Sequence, residues 1–293
     1  MNELQGNKNY SLTKLELSSL PGPIGVFDSG YGGLTILEKI RQRLPHYDYL
    51  YLGDNARTPY GTRSFEIVYK YTLECVVRLF ELGAHLVILA CNTASAKALR
   101  TIQQNDLPKI DPRRRVLGII RPTVEIIDKL THNGHVGLLA TPGTVQSNSY
   151  GLEIQKLYGN AITLSSEACP MWVPLIENFE HNSPGADYFF QKNINHLLQT
   201  DPQIDTVILG CTHYTLLQDK IKNLLPPNIN IVSQGEIVAS SLDDYLNRHP
   251  EIDALCTKNA SCRFLTTESV EKFSASATIF LNEPVLAEHI DID

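Results

Sequence analysis

The chain has 293 residues, of which 43% are hydrophobic and 19% charged, the make-up of a globular protein with a full core in one large or two ordinary domains. Its net charge of −7 excludes a general nucleic-acid or anionic-membrane surface, which needs clustered Lys and Arg, and no run is apolar for long enough to span a bilayer. The N-terminal residues lack the apolar core of a signal peptide, so the expected compartment is the cytoplasm, where the six cysteines stay reduced and structural disulfides are rare.

The first apolar run, "IGVF" (24–27), predicts a buried strand followed by a glycine-rich turn. A helix then follows from Leu34, Leu37, Ile40 or Arg41, and Leu44 near helical spacing. "YDYLYLG", "HLVILA" and "RVLGII" (115–120) read as the next three strands, and Arg113-Arg114-Arg115 at the start of the last reads as a solvated turn. Strands alternating with helices predict a parallel sheet wound on both faces. The pattern then restarts. "HVGLLATPGT" (135–144) repeats "IGVFDSGYGG", with Gly25 and Gly137 112 residues apart. "AITLSSEA" takes the place of "YDYLYLGD", Cys91 and Cys211 lie 120 residues apart, and "INIVSQG" follows "RVLGII" by about 115. Four elements in one order predict a duplicated unit. The expected fold is α/β, two pseudo-symmetric doubly wound parallel-sheet domains with the active site in the cleft between them, at the carboxyl ends of the strands.

Each cysteine of the repeated pair stands where a strand gives way to a helix, in "HLVILACNTASAKAL" and "DTVILGCTHYTLLQD". Asn92 or Thr93 is the expected cap of the first helix. Thr212 is that of the second, "YTLLQDKIKNLL", whose Leu217, Ile221 and Leu224 form a core-facing stripe. A thiol at a helix N-terminus is expected to ionise more easily than an ordinary buried cysteine. Three uses of such a pair are open. A disulfide is disfavoured by the compartment. A metal set of Cys91, Cys211 and His213 lacks the usual short ligand spacing, and no C-x-x-C exists. Two thiols on opposite faces of one carbon can remove and deliver a proton, which inverts a stereocentre without a cofactor. Asp28 can orient or deprotonate a nearby thiol, or simply cap a turn, and His213 can serve Cys211. Ser29, Asn92, Thr93, Thr144 and Thr212 add hydroxyl and amide donors that can hold carboxylates without a dedicated arginine. "TPYG" (58–61) reads as a turn whose Gly61 backbone can approach a ligand closely.

"VFDSGYGG", "PYG", "ACNTAS", "ACPMWVPLIE" and "LGCTHY" resemble the signatures of bacterial glutamate racemases, within the cofactor-independent aspartate/glutamate racemase superfamily. The resemblance runs from about Pro23 to the C-terminus, where "RFLTTESVEKFSASATIFL" looks like that family's closing strand and helix. It implies interconversion of L- and D-glutamate, with D-glutamate destined for peptidoglycan and cell-wall synthesis, and neither cofactor nor metal. It makes Cys91 and Cys211 the acid–base thiols, tuned by Asp28, His213 and Glu177. Glu177 by itself reads as a surface helix residue. Ser29, Tyr60, Gly61, Asn92, Thr93, Thr144 and Thr212 fall on positions lining the family's glutamate site. The family's fold implies a crossing chain: a first domain of 23–117 plus 234–293, a second of 118–233, and an extension at 1–22. The protein is expected as a monomer or homodimer.

Tyr31 departs from the family, since a small aliphatic residue is usual there. Some proteobacterial members with an N-terminal extension resemble this chain and need UDP-N-acetylmuramoyl-L-alanine as activator. Activation by that nucleotide is therefore one expectation for 1–22, and a disordered tail is the other.

Three alternatives are set beside this one. An aspartate racemase would use the same two thiols with a shorter side-chain pocket. A dinucleotide-binding protein would use Gly30-x-Gly32 with Asp54 about 20 residues on, but Thr35 holds the third glycine position and Asp28 would face the pyrophosphate. A non-catalytic protein binding an acidic ligand would need the donors but not both thiols.

Overall fold

The computed structural model describes residues 20–292, so the expectations for the first nineteen positions lie outside the described residues. Among the described residues, ten strands form two all-parallel sheets. In the first, β1 (Ile24–Asp28), β2 (Tyr49–Gly53), β3 (Leu86–Leu89) and β4 (Arg115–Gly118) are joined by β9 (Cys262–Thr266) and β10 (Ala287–His289) in the order β10-β9-β2-β1-β3-β4. The second holds β5 (His135–Ala140), β6 (Thr163–Ala168), β7 (Thr206–Gly210) and β8 (Asn230–Val232) in the order β6-β5-β7-β8. The orders β2-β1-β3-β4 and β6-β5-β7-β8 are the same. The sequence repeat is thus a repeat of topology, and Cys91 after β3 and Cys211 after β7 occupy equivalent places.

The central strands β1, β3 and β7 are buried at every residue, as parallel strands with helices on both faces must be. This is why they read as unbroken apolar runs and not as alternation. The helix Leu34–Arg43 buries Leu34, Ile36, Leu37 and Ile40. It packs along the helix Gly235–Arg248, which follows the chain's return from the second sheet. Trp172 is fully buried, with Phe190 edge-on at 5.1 Å and Tyr214 at 4.8 Å, and its Nε1–H donates to Asn193 Oδ1 at 3.0 Å. That cluster fixes the segments bearing Glu177 and Cys211 against each other.

The expected closing strand and helix are β9 and Val270–Leu281. A further strand, β10, has no counterpart among the expected elements, because three residues carry no readable period. Arg113-Arg114-Arg115 is not wholly a solvated turn. Arg114 is buried and its Nη1 donates to Phe80 O at 2.7 Å and Ala84 O at 2.5 Å, tying the start of β4 to the end of the helix Phe65–Glu81, which precedes β3, and the turn after it. Tyr31 fills a pocket against Phe273 and Phe280, at ring distances of 5.7 and 5.9 Å, so the C-terminal helix accommodates its bulk. Among the described residues no helix is long and apolar enough to cross a membrane.

Candidate active site

The carboxyl ends of β1, β3, β5 and β7 converge on one narrow cavity of about 40 Å³ between the two sheets. Its wall includes Ser29, Tyr60, Gly61, Cys91, Asn92 and Thr93 from the first unit, and Cys211, Thr212 and His213 from the second. Both thiols therefore face the same space. Asp28, Glu177 and Thr144 stand behind this wall and act on it through their neighbours.

On the first side, Cys91 caps its own helix, Asn92–Lys97, in place of Asn92 or Thr93: the Ala94 N–H points to Sγ at 3.5 Å. Ser29 Oγ lies 3.4 Å from the same sulfur. Asp28 is fully buried; Oδ2 accepts the Gly30 N–H at 2.9 Å, while Oδ1 has no hydrogen-bond partner among the described residues. Burial pushes this carboxyl up from its ordinary value, against the opposing pull of His213. Burial likewise pushes the Cys91 thiol up to about 12, helped by the Asp28 carboxylate and only partly offset by Ser29 and the Ala94 N–H. The expected easing of ionisation is thus reversed, because desolvation of a buried thiolate outweighs one N–H of a six-residue helix.

On the second side, Cys211 precedes a 3-10 segment, Thr212–Leu217, and the helix proper starts only at Gln218, without a Thr212 cap. Its Sγ is 3.8 Å from His213 Nδ1, and His213 Nε2 meets Glu177 Oε1 at 3.0 Å. Glu177 ends the helix Trp172–Glu177 and faces inward, not outward as its local sequence reads. Burial alone would pull the imidazole down, but Cys211 and Glu177 flank it and hold it well above its ordinary value.

Hydroxyls close the gap between the units. Thr93 Oγ1 is 2.9 Å from Thr141 Oγ1 and 3.4 Å from Thr144 Oγ1. Gly61 O accepts the Gly143 N–H at 2.7 Å, and a Cβ at Gly61 would lie 2.8 Å from Thr141 Cβ. The Tyr60 hydroxyl donates to buried Asp54, which also receives Arg57 Nε at 2.7 Å and Thr267 Oγ1 at 2.9 Å. Asp54 therefore anchors the 58–61 segment, and the turn expected there falls instead at Tyr60–Arg63, where the Arg63 N–H donates to Tyr60 O at 3.1 Å. Gly30 N–H is already taken by Asp28, which removes a donor that a pyrophosphate would need.

Thr58, Thr62, Thr141, Cys169 and Val173 also line the cavity, although sequence reasoning did not select them. Cys169 is buried and forms wall as well. For all but Thr62 the signal was present only in the quoted "TPYG", "ATPGT" and "ACPMWVPLIE" segments, not in the individual residues. Among the described residues no Lys or Arg lines the cavity, so an anion there would meet hydroxyls, amides and the His213 proton. The described cysteines are all free, and no three or more His, Cys, Asp or Glu side chains among the described residues are grouped to hold a metal ion.

The Asp/Glu/Hydantoin racemase family model matches residues 24–242. The glutamate racemase of Paracoccus denitrificans is 40% identical over 275 residues, covering 90% of this chain and 98% of that protein. The structure of glutamate racemase from Francisella tularensis in complex with D-glutamate superimposes with a TM-score of 0.81 at 31% identity, covering 92% of this chain and 98% of that one. That of Escherichia coli glutamate racemase, in complex with L-glutamate and the activator UDP-MurNAc-ala, gives 0.71 at 27% identity and covers 93% and 100%.

Proposed function

The chain belongs to the Asp/Glu/Hydantoin racemase family, and from that premise we propose that it interconverts L- and D-glutamate by proton transfer at Cα between two thiols. The observation that carries this reading is the shared cavity: Cys91 and Cys211, at equivalent ends of β3 and β7, line it from opposite units. A carbon held between them presents its hydrogen to one sulfur and its opposite face to the other.

His213, held by Glu177, is the group that stores a proton beside Cys211. Cys91, pushed up to about 12, is in the thiol form at neutral pH and is the proton donor of the resting site. In one direction Cys211 takes the Cα proton and Cys91 supplies one from the other face; the reverse direction exchanges the roles. Asp28 stands as the acceptor that can relieve Cys91 of its proton. Ser29, Tyr60, Gly61, Asn92, Thr93, Thr144 and Thr212 belong to the substrate-binding wall or its support. Sheet membership supports a division close to 23–117 plus 234–293 and 118–233, with the first boundary moved past Gly118, which ends β4 in the first sheet. D-glutamate so made would serve peptidoglycan synthesis. The E. coli relative's activator supports trying UDP-N-acetylmuramoyl-L-alanine as an activator here.

Incubating the protein with L-glutamate in deuterium oxide tests the reading. The expected result is D-glutamate carrying Cα deuterium, abolished in both Cys91→Ala and Cys211→Ala. Adding the muramoyl nucleotide is expected to raise the rate. No inversion of glutamate with or without it would reject glutamate as the substrate, and aspartate would then be tried.

A further inference from the structure

We propose that Gln234 and Tyr150 form a polar latch that positions the Asn92 side chain in the wall of the glutamate cavity, and that the Ile119 carbonyl sets the polarity of that latch. The inference rests on reading the cavity as a glutamate site. Asn92 sits next to Cys91, lines the cavity and is nearly inaccessible, as are Gln234, Tyr150 and Thr123. Its Nδ2 donates to Gln234 Oε1 at 2.6 Å, and its Oδ1 accepts from the Tyr150 hydroxyl at 2.7 Å.

An amide can be turned end for end, so its orientation must follow from its partners. The Ile119 carbonyl can only accept, so the Gln234 atom 3.1 Å from it is the Nε2 donor. Thr123 spends its hydroxyl hydrogen on the same carbonyl at 3.0 Å and accepts from Gln234 Nε2 at 2.9 Å. The Tyr150 oxygen also lies 2.9 Å from Nε2 on its acceptor side, so the three acceptors share the two Nε2 hydrogens. Gln234 must then turn Oε1 to Asn92, which must answer with Nδ2. The Tyr150 hydrogen is left for Asn92 Oδ1. One backbone carbonyl thus dictates which end of Asn92 carries its donors, and the second Nδ2 hydrogen is left for a ligand oxygen.

The place of the latch gives it reach. Ile119 follows β4 and Gln234 follows β8, so the two passages of the chain between the sheets meet at this network. Asn92 belongs to the first unit and Tyr150 to the second. Asn92 is therefore oriented by the junction of the two units and not by its own helix alone. Asn92 touches the cavity, whereas Gln234 and Tyr150 are positioning residues.

The test compares Tyr150→Phe, Gln234→Glu and Gln234→Met with wild type. Tyr150→Phe frees Asn92 Oδ1, and Gln234→Glu sets an acceptor against the Ile119 carbonyl. Both are expected to raise the KM for glutamate and the Kd for D-glutamate about tenfold, the scale of one misdirected buried hydrogen bond, with kcat changed less than about threefold. Once protonated, the carboxyl that Gln234→Glu introduces can donate to Ile119 as the amide does. The KM of Gln234→Glu should therefore recover as pH is lowered from about 8 to 6, while that of Gln234→Met should not. Unchanged KM in the first two variants, or a Gln234→Glu defect with no recovery, would overturn the latch. If wild type neither binds nor inverts glutamate, the substrate reading fails, and nitrogen-15 NMR of the Asn92 side-chain amide decides the latch separately. Slow hydrogen exchange in wild type, accelerated in Tyr150→Phe, supports it, and equal exchange in the two overturns it.

Discussion

Glu177 Oε1 and His213 Nε2 lie 3.0 Å apart, so the end of one short helix holds the imidazole that faces Cys211. Removing the Glu177 charge in Glu177→Gln is expected to lower the His213 pKa, read by NMR of its ring nitrogens, and to cut kcat about tenfold to a hundredfold. The raised imidazole stabilises the native state fully below its unfolded pKa of about 6.5, and the gain is lost as pH rises through the folded value. Alkaline unfolding of wild type should therefore begin at higher pH than that of Glu177→Gln.

Ser29 is one of two groups that pull the Cys91 thiol back from the effect of burial. Ser29→Ala is expected to raise that thiol further and to slow its alkylation by iodoacetamide at pH 9 several-fold. Mass spectrometry of the Cys91 peptide measures this, and an unchanged rate would show the 3.4 Å contact to be irrelevant to ionisation.

Asp28 carries a carboxyl raised by burial, with Oδ1 unpartnered among the described residues. The native state binds its proton more tightly than the unfolded chain does, so stability declines as pH rises from about 3.8 towards the folded value. Asp28→Asn removes this penalty. It is expected to melt higher at neutral pH, by roughly 2–5 °C, and to lose nearly all racemisation. The stability advantage should narrow towards pH 4. A lower melting temperature at neutral pH would contradict the assignment.

Gly32 touches the opposite unit. A Cβ there would lie 2.5 Å from His213 Nδ1 and closer still to Thr212 Oγ1. Gly32→Ala is expected to displace the Cys211 segment, destabilising the protein by about 1–3 kcal/mol and lowering kcat at least tenfold. Denaturant titration and turnover together check this.

Arg114 tests the first sheet's anchoring apart from the chemistry. Its truncation to Ala withdraws the bonds to Phe80 O and Ala84 O and is expected to cost about 2 kcal/mol of stability. Turnover per folded molecule should not change. A loss of turnover at full folding would mean that the β4 edge reaches the cavity.

The parallel strands and the equivalence of Cys91 and Cys211 were legible in the chain itself. Fully buried parallel strands must be unbroken apolar runs, and a repeated unit repeats its runs at a fixed offset. Local sequence also marked the donors at the strand ends, and it placed the turn after "TP" two residues early. It misread Glu177, because a carboxylate closing a helix looks solvated until a partner from 36 residues away is folded onto it. It misjudged the Cys91 thiol for a similar reason, since a helix terminus is written locally whereas desolvation depends on everything packed around the sulfur. Arg114, Cys169 and the Gln234–Tyr150–Asn92 network were equally out of reach. Period and composition determine which elements form and which faces they bury, so the sequence alone set the architecture and the pair of thiols. Ionisation, amide orientation and the meeting of the two units depend on contacts between distant segments, and only the tertiary structure decided them.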